Sequence, residues 1–365
     1  MKTGTVKELL DHYNGHAPGY DALRLVLATI IFLTHAILIS ASQRGGAGII
    51  AIVKYLVDDN HFLVRSAVQC LLPMFFALGG FLVTGSAYRV RKLGTFLLFR
   101  VLRILPALLV EVTLSAIFLG ALITTLPLRQ YYTDPAFYSY FLNILGIVHF
   151  QLPGVFTESV GGIVNANLAT LPPDFHSYAI MSVLLITGLL FNRWIFLGLF
   201  TIFSAAILTF PASMDAQVNL PFGSTMLIYA FFSGVLLYTF ADRIHVSKSL
   251  ALVSIASLLL LGAKYVSLLG MLGVAYLTLY IGFTDLRNFP LVRKGDYSYG
   301  IYLYGFPIAQ ATRHYLPSLD QWWQLALVSF PITLSFAMLS WHYIENPFLS
   351  LKKKLPGSLL PDKKV

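Results

Sequence analysis

Apolar residues run along this chain in long, nearly unbroken stretches, and the polar residues collect between them. A helix needs about 20 mostly apolar residues to cross roughly 30 Å of hydrocarbon with its own backbone groups satisfied. Ten stretches reach or approach that length, over approximately 21–41, 67–87, 104–124, 176–192, 194–210, 222–241, 250–266, 267–284, 298–315 and 324–344. An eleventh, 137–150, is shorter and bounded by Pro135 and Pro153, so it reads as a re-entrant or interfacial helix. The pattern predicts an all-α, polytopic membrane helix bundle of about ten transmembrane helices plus that one re-entrant or interfacial element. Residues 1–350 read as a single integral-membrane domain, and 351–365 as a short Lys-rich tail. Lys2 and Lys7 ahead of the first stretch and Ile39-Ser40-Ala41 at its end give it some likeness to a secretory signal. Its leader contains Glu8 and Asp11, however, and the apolar run opens on Asp21 and Arg24, so it is expected to be retained as a span.

Composition supports the membrane reading. Of 365 residues 57% are hydrophobic and only 11% charged, where a soluble domain carries about a quarter charged. The single cysteine, Cys70, excludes an internal disulfide, and no Cys/His pair has zinc-finger spacing. A net charge of +9 would point to nucleic acid in a soluble protein, but here the distribution of the cations assigns them to topology. Arg89, Arg91, Lys92, Arg100 and Arg103 lie between spans two and three, Arg193 between four and five, and Arg243 and Lys248 between six and seven. Arg287, Arg293 and Lys294 precede span nine, and Lys352, Lys353, Lys354, Lys363 and Lys364 occupy the tail. With both termini cytoplasmic, ten crossings put all of these on one side. Arg44, Lys54, Arg65, Arg129 and Arg313 run against the pattern. The expected surroundings are membrane lipid, and no nucleic-acid partner is expected.

Ionisable residues inside spans are costly and mark candidate chemistry. In span one, Arg24 and His35 are eleven residues apart, close to three helical turns, so they share one face about 16 Å apart along the axis. The plainer alternative is a snorkelling Arg24 and a His35 bonded to a neighbouring helix. Span two carries a small-residue face, Gly79-Gly80 through Gly85-Ser86, that permits close helix approach. It leads into Arg89, and Arg100 and Arg103 then open span three beside Pro106. These cations form one basic mouth able to grip a phosphorylated donor, with ordinary anchoring as the alternative, favoured most for Arg91 and Lys92. Glu111, two turns beyond Arg103, reads as the partner of a cation or polar group inside the bundle. The stretch 161–178 reads as an external loop. Pro172 and Pro173 would give span four an extended entry and leave Asp174 and His176 at the outer edge. Interfacial aromatics account for most of 296–307, and Glu345-Asn346-Pro347 reads as a helix stop.

Taken in order, these pieces resemble the acyltransferase-3 family of integral-membrane acyltransferases over roughly residues 20–350. The resemblance rests on the Arg24-to-His35 spacing, Gly80-Phe81-Leu82 followed by Arg100, Arg103 and Pro106, Leu171-Pro172 ahead of an acid, Tyr297-Ser298-Tyr299-Gly300-Ile301-Tyr302-Leu303, and Glu345-Asn346-Pro347. Where the family commonly has Trp-Ser/Thr-Leu-Pro-x-Glu, this chain has Ala169 for the tryptophan and Asp174 for the glutamate. That departure bears on substrate positioning more than on the reaction. The resemblance implies an acyl-CoA donor, most often acetyl-CoA, supplied from the cytoplasm. It also implies an acceptor hydroxyl on a surface glycan or lipid-linked saccharide, and residence in a cell inner membrane or plasma membrane. It casts His35 as general base or acyl relay, Asp174 as an orienting partner, and Arg24, Arg89, Arg100 and Arg103 as donor ligands, with no metal needed. A secondary transporter or glycan exporter is the rival from another class. It normally shows two similar halves with broken helices at matching places, and no half-to-half match is evident here.

Overall fold

The computed structural model describes residues 4–42, 62–209, 223–261, 268–286, 291–292 and 294–354, and it is helical nearly throughout. Arg44, Lys54, Arg287, Arg293, Lys363 and Lys364, together with the side chains of Arg65, Lys353 and Lys354, lie outside the described residues. Among the described residues four helices are long and apolar enough to cross a membrane: Tyr20–Ala41, Ala67–Val90, Leu93–Ile123 and Trp322–Ser350. Shorter apolar helices occupy Arg193–Thr209, Ser224–Thr239, Lys248–Ser257 and Leu268–Gly282.

The chain opens with a two-residue strand β1, Gly4–Thr5, and a short helix α1, Val6–His12. Thr5 and Glu8 form a reciprocal capping box that satisfies the first free backbone N–H groups. β1 pairs antiparallel with β2, His245–Val246, which ties the N-terminal segment to the turn before a later helix. The long helices α2, Tyr20–Ser42, and α3, Phe62–Val90, follow. Then comes α4, Leu93–Thr113, which passes through a π-turn at Leu114–Leu119 into Gly120–Ile123. The helix thus begins eleven residues ahead of the expected span, because Arg100 and Arg103 break the apolar run without breaking the backbone.

The stretch 137–150 makes no crossing helix. After a short helix α5, Leu128–Thr133, it folds as most of α6, Pro135–Tyr140, then a 3₁₀ turn, Phe141–Leu145, closed by Gly146 at φ 78°. After the loop come α7, Leu171–Ile186, α8, Arg193–Thr209, and α9, Ser224–Thr239. These are followed by α10, Lys248–Leu261, α11, Leu268–Gly282, and α12, Ser298–Tyr315. The last is α13, Trp322–Ser340, which a π-turn at Trp341–Glu345 carries into Asn346–Ser350. Glu345-Asn346-Pro347 therefore does not stop the helix. The wider turn shifts the hydrogen-bond register and makes room for the Pro347 ring.

The tightest pairing joins α3 to α9. A Cβ on Gly80 would overlap the Phe231 carbonyl oxygen, and a Cβ on Gly234 would overlap that of Ala77, so each helix backbone lies in the other's glycine notch. In hydrocarbon, where apolar side chains gain little by leaving lipid, such close backbone approach is what dispersion can use. On the other side, α12 lies between α2 and α13, with Leu25, Phe32, Ile301, Phe306 and Leu325 buried between them. The N-terminal segment meets the end of α9 through Val6 N–H to Ile244 O at 2.8 Å. The segment after α13 returns to the start of α4, where Lys352 lies over the Phe99 ring. Both described ends of the chain therefore sit at the end of the bundle that bears Arg89, Arg193 and Arg243.

Gly80→Val should overpack the α3–α9 seam, at a cost of about 1–3 kcal/mol. The expected result is a lower thermal midpoint in detergent, with Gly94→Val, whose Cβ meets open space, as the unaffected control.

Candidate active site

An isolated charge inside a helix bundle is unstable unless an opposite charge or several hydrogen bonds accompany it. Arg24 has two such companions: Asp21, one turn earlier on α2, and Asp296, whose carboxylate lies 3.3 Å from its Nη1. The same Asp296 oxygen accepts from Arg103 Nη2 at 2.6 Å. Arg103 also lies 3.9 Å from Glu345, which is 2% exposed and receives the Ser340 hydroxyl at 3.0 Å. Two guanidinium groups and three carboxylates from α2, α4, the approach to α12 and the π-turn after α13 thus close into one network. Ser298 donates to the second Asp296 oxygen. Burial opposes ionisation of Asp296, but the charges of Arg24 and Arg103 outweigh it and hold the carboxyl well below the usual carboxylate range.

The four cations of the basic mouth consequently divide. Arg24 and Arg103 are neutralised by carboxylates of this chain. Arg89 and Arg100, among the described residues, have no carboxylate within ion-pair distance. Arg89 is exposed in the last turn of α3, where the helix dipole favours a cation. Arg100 reaches only Ser86 Oγ, at 3.5 Å, lies over the Phe96 ring, and keeps its Nε buried without a partner. Asp174, Arg103 and Arg89 act on it electrostatically.

The loop before α7 is not a free external connection. Asn165, Asn167, Leu168, Ala169 and Thr170 are all buried, and their amides bond to α12. Pro307 lacks the N–H that would pair with the Leu303 carbonyl four residues earlier. Asn165 Nδ2 donates to that carbonyl at 3.0 Å and to Glu111 Oε1 at 2.8 Å. Asn167 Nδ2 donates to Tyr302 O, and the Thr170 hydroxyl meets the Tyr302 hydroxyl at 2.8 Å. Glu111, 1% exposed, also accepts from Ser115 at 2.8 Å, so its partners are polar groups and not a cation. Pro172 and Pro173 do not make an extended entry. They occupy the first turn of α7, where a missing N–H leaves nothing unsatisfied. Asp174 follows on that turn, half-buried, and is carried toward Arg100, Tyr178, Tyr299 and Tyr302. His176 beside it is exposed.

His35 does not face outward. Its ring meets the edge of Phe306 at a centroid distance of 5.1 Å, and its Nδ1 is buried without a hydrogen-bond partner. No charged group of the described residues acts on it. Nδ1 therefore makes no bond to a neighbouring helix. Asp174 acts on Arg100 electrostatically, and the Nδ1 of His35 is left without a partner among the described residues. Asp296 and Glu345 were missed as site residues, because nothing local distinguishes them and their cations lie between 193 and 272 residues away in the sequence. No group of three or more His, Cys, Asp or Glu side chains able to hold a metal occurs among the described residues.

The acyltransferase-3 family model, described as an acyltransferase domain, matches residues 18–342. An O-acetyl transferase of Shigella phage Sf6 is 26% identical over 352 residues, covering 91% of this chain and 96% of that protein. Nodulation protein 10 of Rhizobium leguminosarum bv. viciae is 26% identical over 379 residues, covering 94% of this chain and 96% of its own length. No solved structure matches significantly.

Asp296→Asn should remove the carboxylate that Arg24 and Arg103 share, leaving Arg24 with Asp21 and Arg103 with Glu345 alone, a loss bounded by the about 3–5 kcal/mol of breaking a buried pair and expected to show as a fall in thermal midpoint. Because the folded state depresses the Asp296 pKa, its contribution is present above about pH 4, the unfolded carboxylate range. It is lost only as pH falls through the lower folded value. The wild-type minus Asp296→Asn difference in midpoint should therefore stay constant from neutral pH down to about pH 5, measured by thermal scans in buffered detergent.

Proposed function

This chain belongs to the acyltransferase-3 family, and on that premise we propose that it moves an acyl group, acetyl in the first instance, from acyl-CoA to a hydroxyl of a cell-surface or exported glycan. The donor arrives from the cytoplasm at the basic end, and the acceptor is a glycan or lipid-linked saccharide. The name of the phage relative supports O-acetylation as the reaction, and the location of both described chain ends beside Arg89 suits a cytoplasmic basic mouth under ten crossings with both termini inside. The protein is then a multi-pass component of a cell inner membrane or plasma membrane.

The observation that carries this reading is His35, an imidazole inside the bundle whose Nδ1 has no partner of the chain's own. Neutral imidazole is the side chain best matched to proton transfer near neutral pH. As general base it takes the proton of the acceptor hydroxyl while the oxygen attacks the thioester carbonyl. The C–S bond then breaks, and coenzyme A leaves as the thiol once it gains a proton. Acting instead as a relay, the same nitrogen would carry the acyl group between donor and acceptor. Arg100 and Arg89, the two cations without carboxylates, hold donor phosphates by charge-assisted hydrogen bonds. Arg24 and Arg103, already paired, keep the walls of the site in register. Asp174 acts on the Arg100 charge electrostatically. The thioester supplies the driving force, so the scheme needs no metal.

Membranes bearing the protein should transfer label from acetyl-CoA to an alkali-labile ester on a glycan. His35→Ala should reduce this by about 10²–10⁴-fold with the protein still inserted, and a fully active variant would overturn the mechanism. Arg100→Ala should raise KM for acetyl-CoA more than Arg91→Ala does. Equal effects would mean that both residues only anchor the protein.

A further inference from the structure

Lys352 belongs to the short helical segment that follows Asn346–Ser350, beyond the last apolar helix. In sequence it is one lysine of a tract. In the structure it is half-buried, with Nζ 5.3 Å from the centre of the Phe99 ring, one residue before Arg100. Arg100 and Arg103 are the charges that act on it. Arg103 spends its charge on Asp296 and Glu345, on the other side of the network, whereas Arg100 keeps a buried Nε with no partner. A lysine is normally free to swing into water, since its flexible stem leaves the ammonium hydrated. Here the stem is folded back over an aromatic ring toward two cations, an arrangement that like-charge repulsion disfavours until an anion enters between them. The unpartnered Arg100 Nε and the converging ammonium both suit an anion lodged beside them.

We propose that Lys352 is a donor-binding residue, closing with Arg100 and Arg89 a three-cation seat for the phosphates of the acyl-CoA. This rests on the donor reading given above. The seat is assembled from α3, α4 and the segment after α13, so occupancy by phosphate fastens that last segment onto the bundle. Burial, then Arg100 and Arg103, pushes the Lys352 ammonium down to about 7. Bound phosphate opposes that shift. Below the depressed value the ammonium is present and contributes fully. Above it a proton must be taken up on binding, so its contribution falls as pH rises. The phosphate's own second ionisation, near about pH 6, works in the opposite direction but is common to every variant.

The test is equilibrium binding of radiolabelled coenzyme A to the full-length protein in phosphatidylcholine nanodiscs, for wild type, Lys352→Gln, Lys352→Arg and Arg100→Gln. At about pH 6, Lys352→Gln should bind about tenfold more weakly, as loss of one charge-assisted contact implies, and Lys352→Arg should match wild type. Between about pH 6 and about pH 8 wild-type affinity should fall relative to Lys352→Arg, whose guanidinium stays charged. Lys352→Gln binding as tightly as wild type while Arg100→Gln is weakened would overturn the proposal and leave the donor reading standing. Unweakened binding by Arg100→Gln, or no binding by wild type, would overturn both. Phosphate of a lipid headgroup offers the same chemistry. If Lys352→Gln changes only competition by added phosphatidylglycerol, and not coenzyme A binding in its absence, the residue is a lipid contact and the proposal fails.

Discussion

The architecture of the basic end depends on the need to neutralise two arginines that cannot be left alone in a low-dielectric interior. Arg24 and Arg103 come from helices that the chain makes early, and the carboxylates that answer them, Asp296 and Glu345, come from its last third. Removing one member of such a network costs far more than the net worth of the whole, since the remaining charges stay buried without partners. The network therefore acts as a register device. It sets where α12 starts and how the π-turn after α13 approaches α4, and so it also sets where the neighbouring unpaired cations point.

That division of labour gives the site its chemical character. A mouth with every guanidinium paired would have no reason to attract a phosphorylated molecule, and one with none paired would repel its own walls. Here the paired cations build the frame and Arg89 and Arg100 remain available, with Asp174 acting on Arg100 electrostatically. His35 lies on the same helix as Arg24, about 16 Å further along by the eleven-residue spacing, and has an aromatic ring where a hydrogen-bond partner would otherwise be. Arg24 and His35 are thus held by a common helix, which fixes the distance between the ion-pair network and the imidazole.

Local signals in the sequence were enough for the helical character, the glycine seam and the Arg24–His35 stripe, because period and spacing are properties of a single segment. Gly80 announced a close approach, although not that Gly234 would supply the other half. The beginning of α4 was hidden, since Arg100 and Arg103 lower the apolar average although the helix runs straight through them. Glu345-Asn346-Pro347 looked like a terminator because proline usually is one, and only a π-turn, which has no sequence mark, lets the helix continue. The counter-ions Asp296 and Glu345 and the return of Lys352 were illegible for a different reason. Each depends on a pairing across most of the chain, and one lysine in a tract looks like the next.

Pro307 leaves a carbonyl open in the middle of α12, and Asn165 reaches across to occupy it. Drawing that loop away would strand a carbonyl and a carboxamide together in hydrocarbon, at several kcal/mol for each unsatisfied group. The stretch is a rivet and not a gate. Any opening is to be sought among other parts of the molecule, and grafting a relative's loop would succeed only where the recipient helix carries the matching proline.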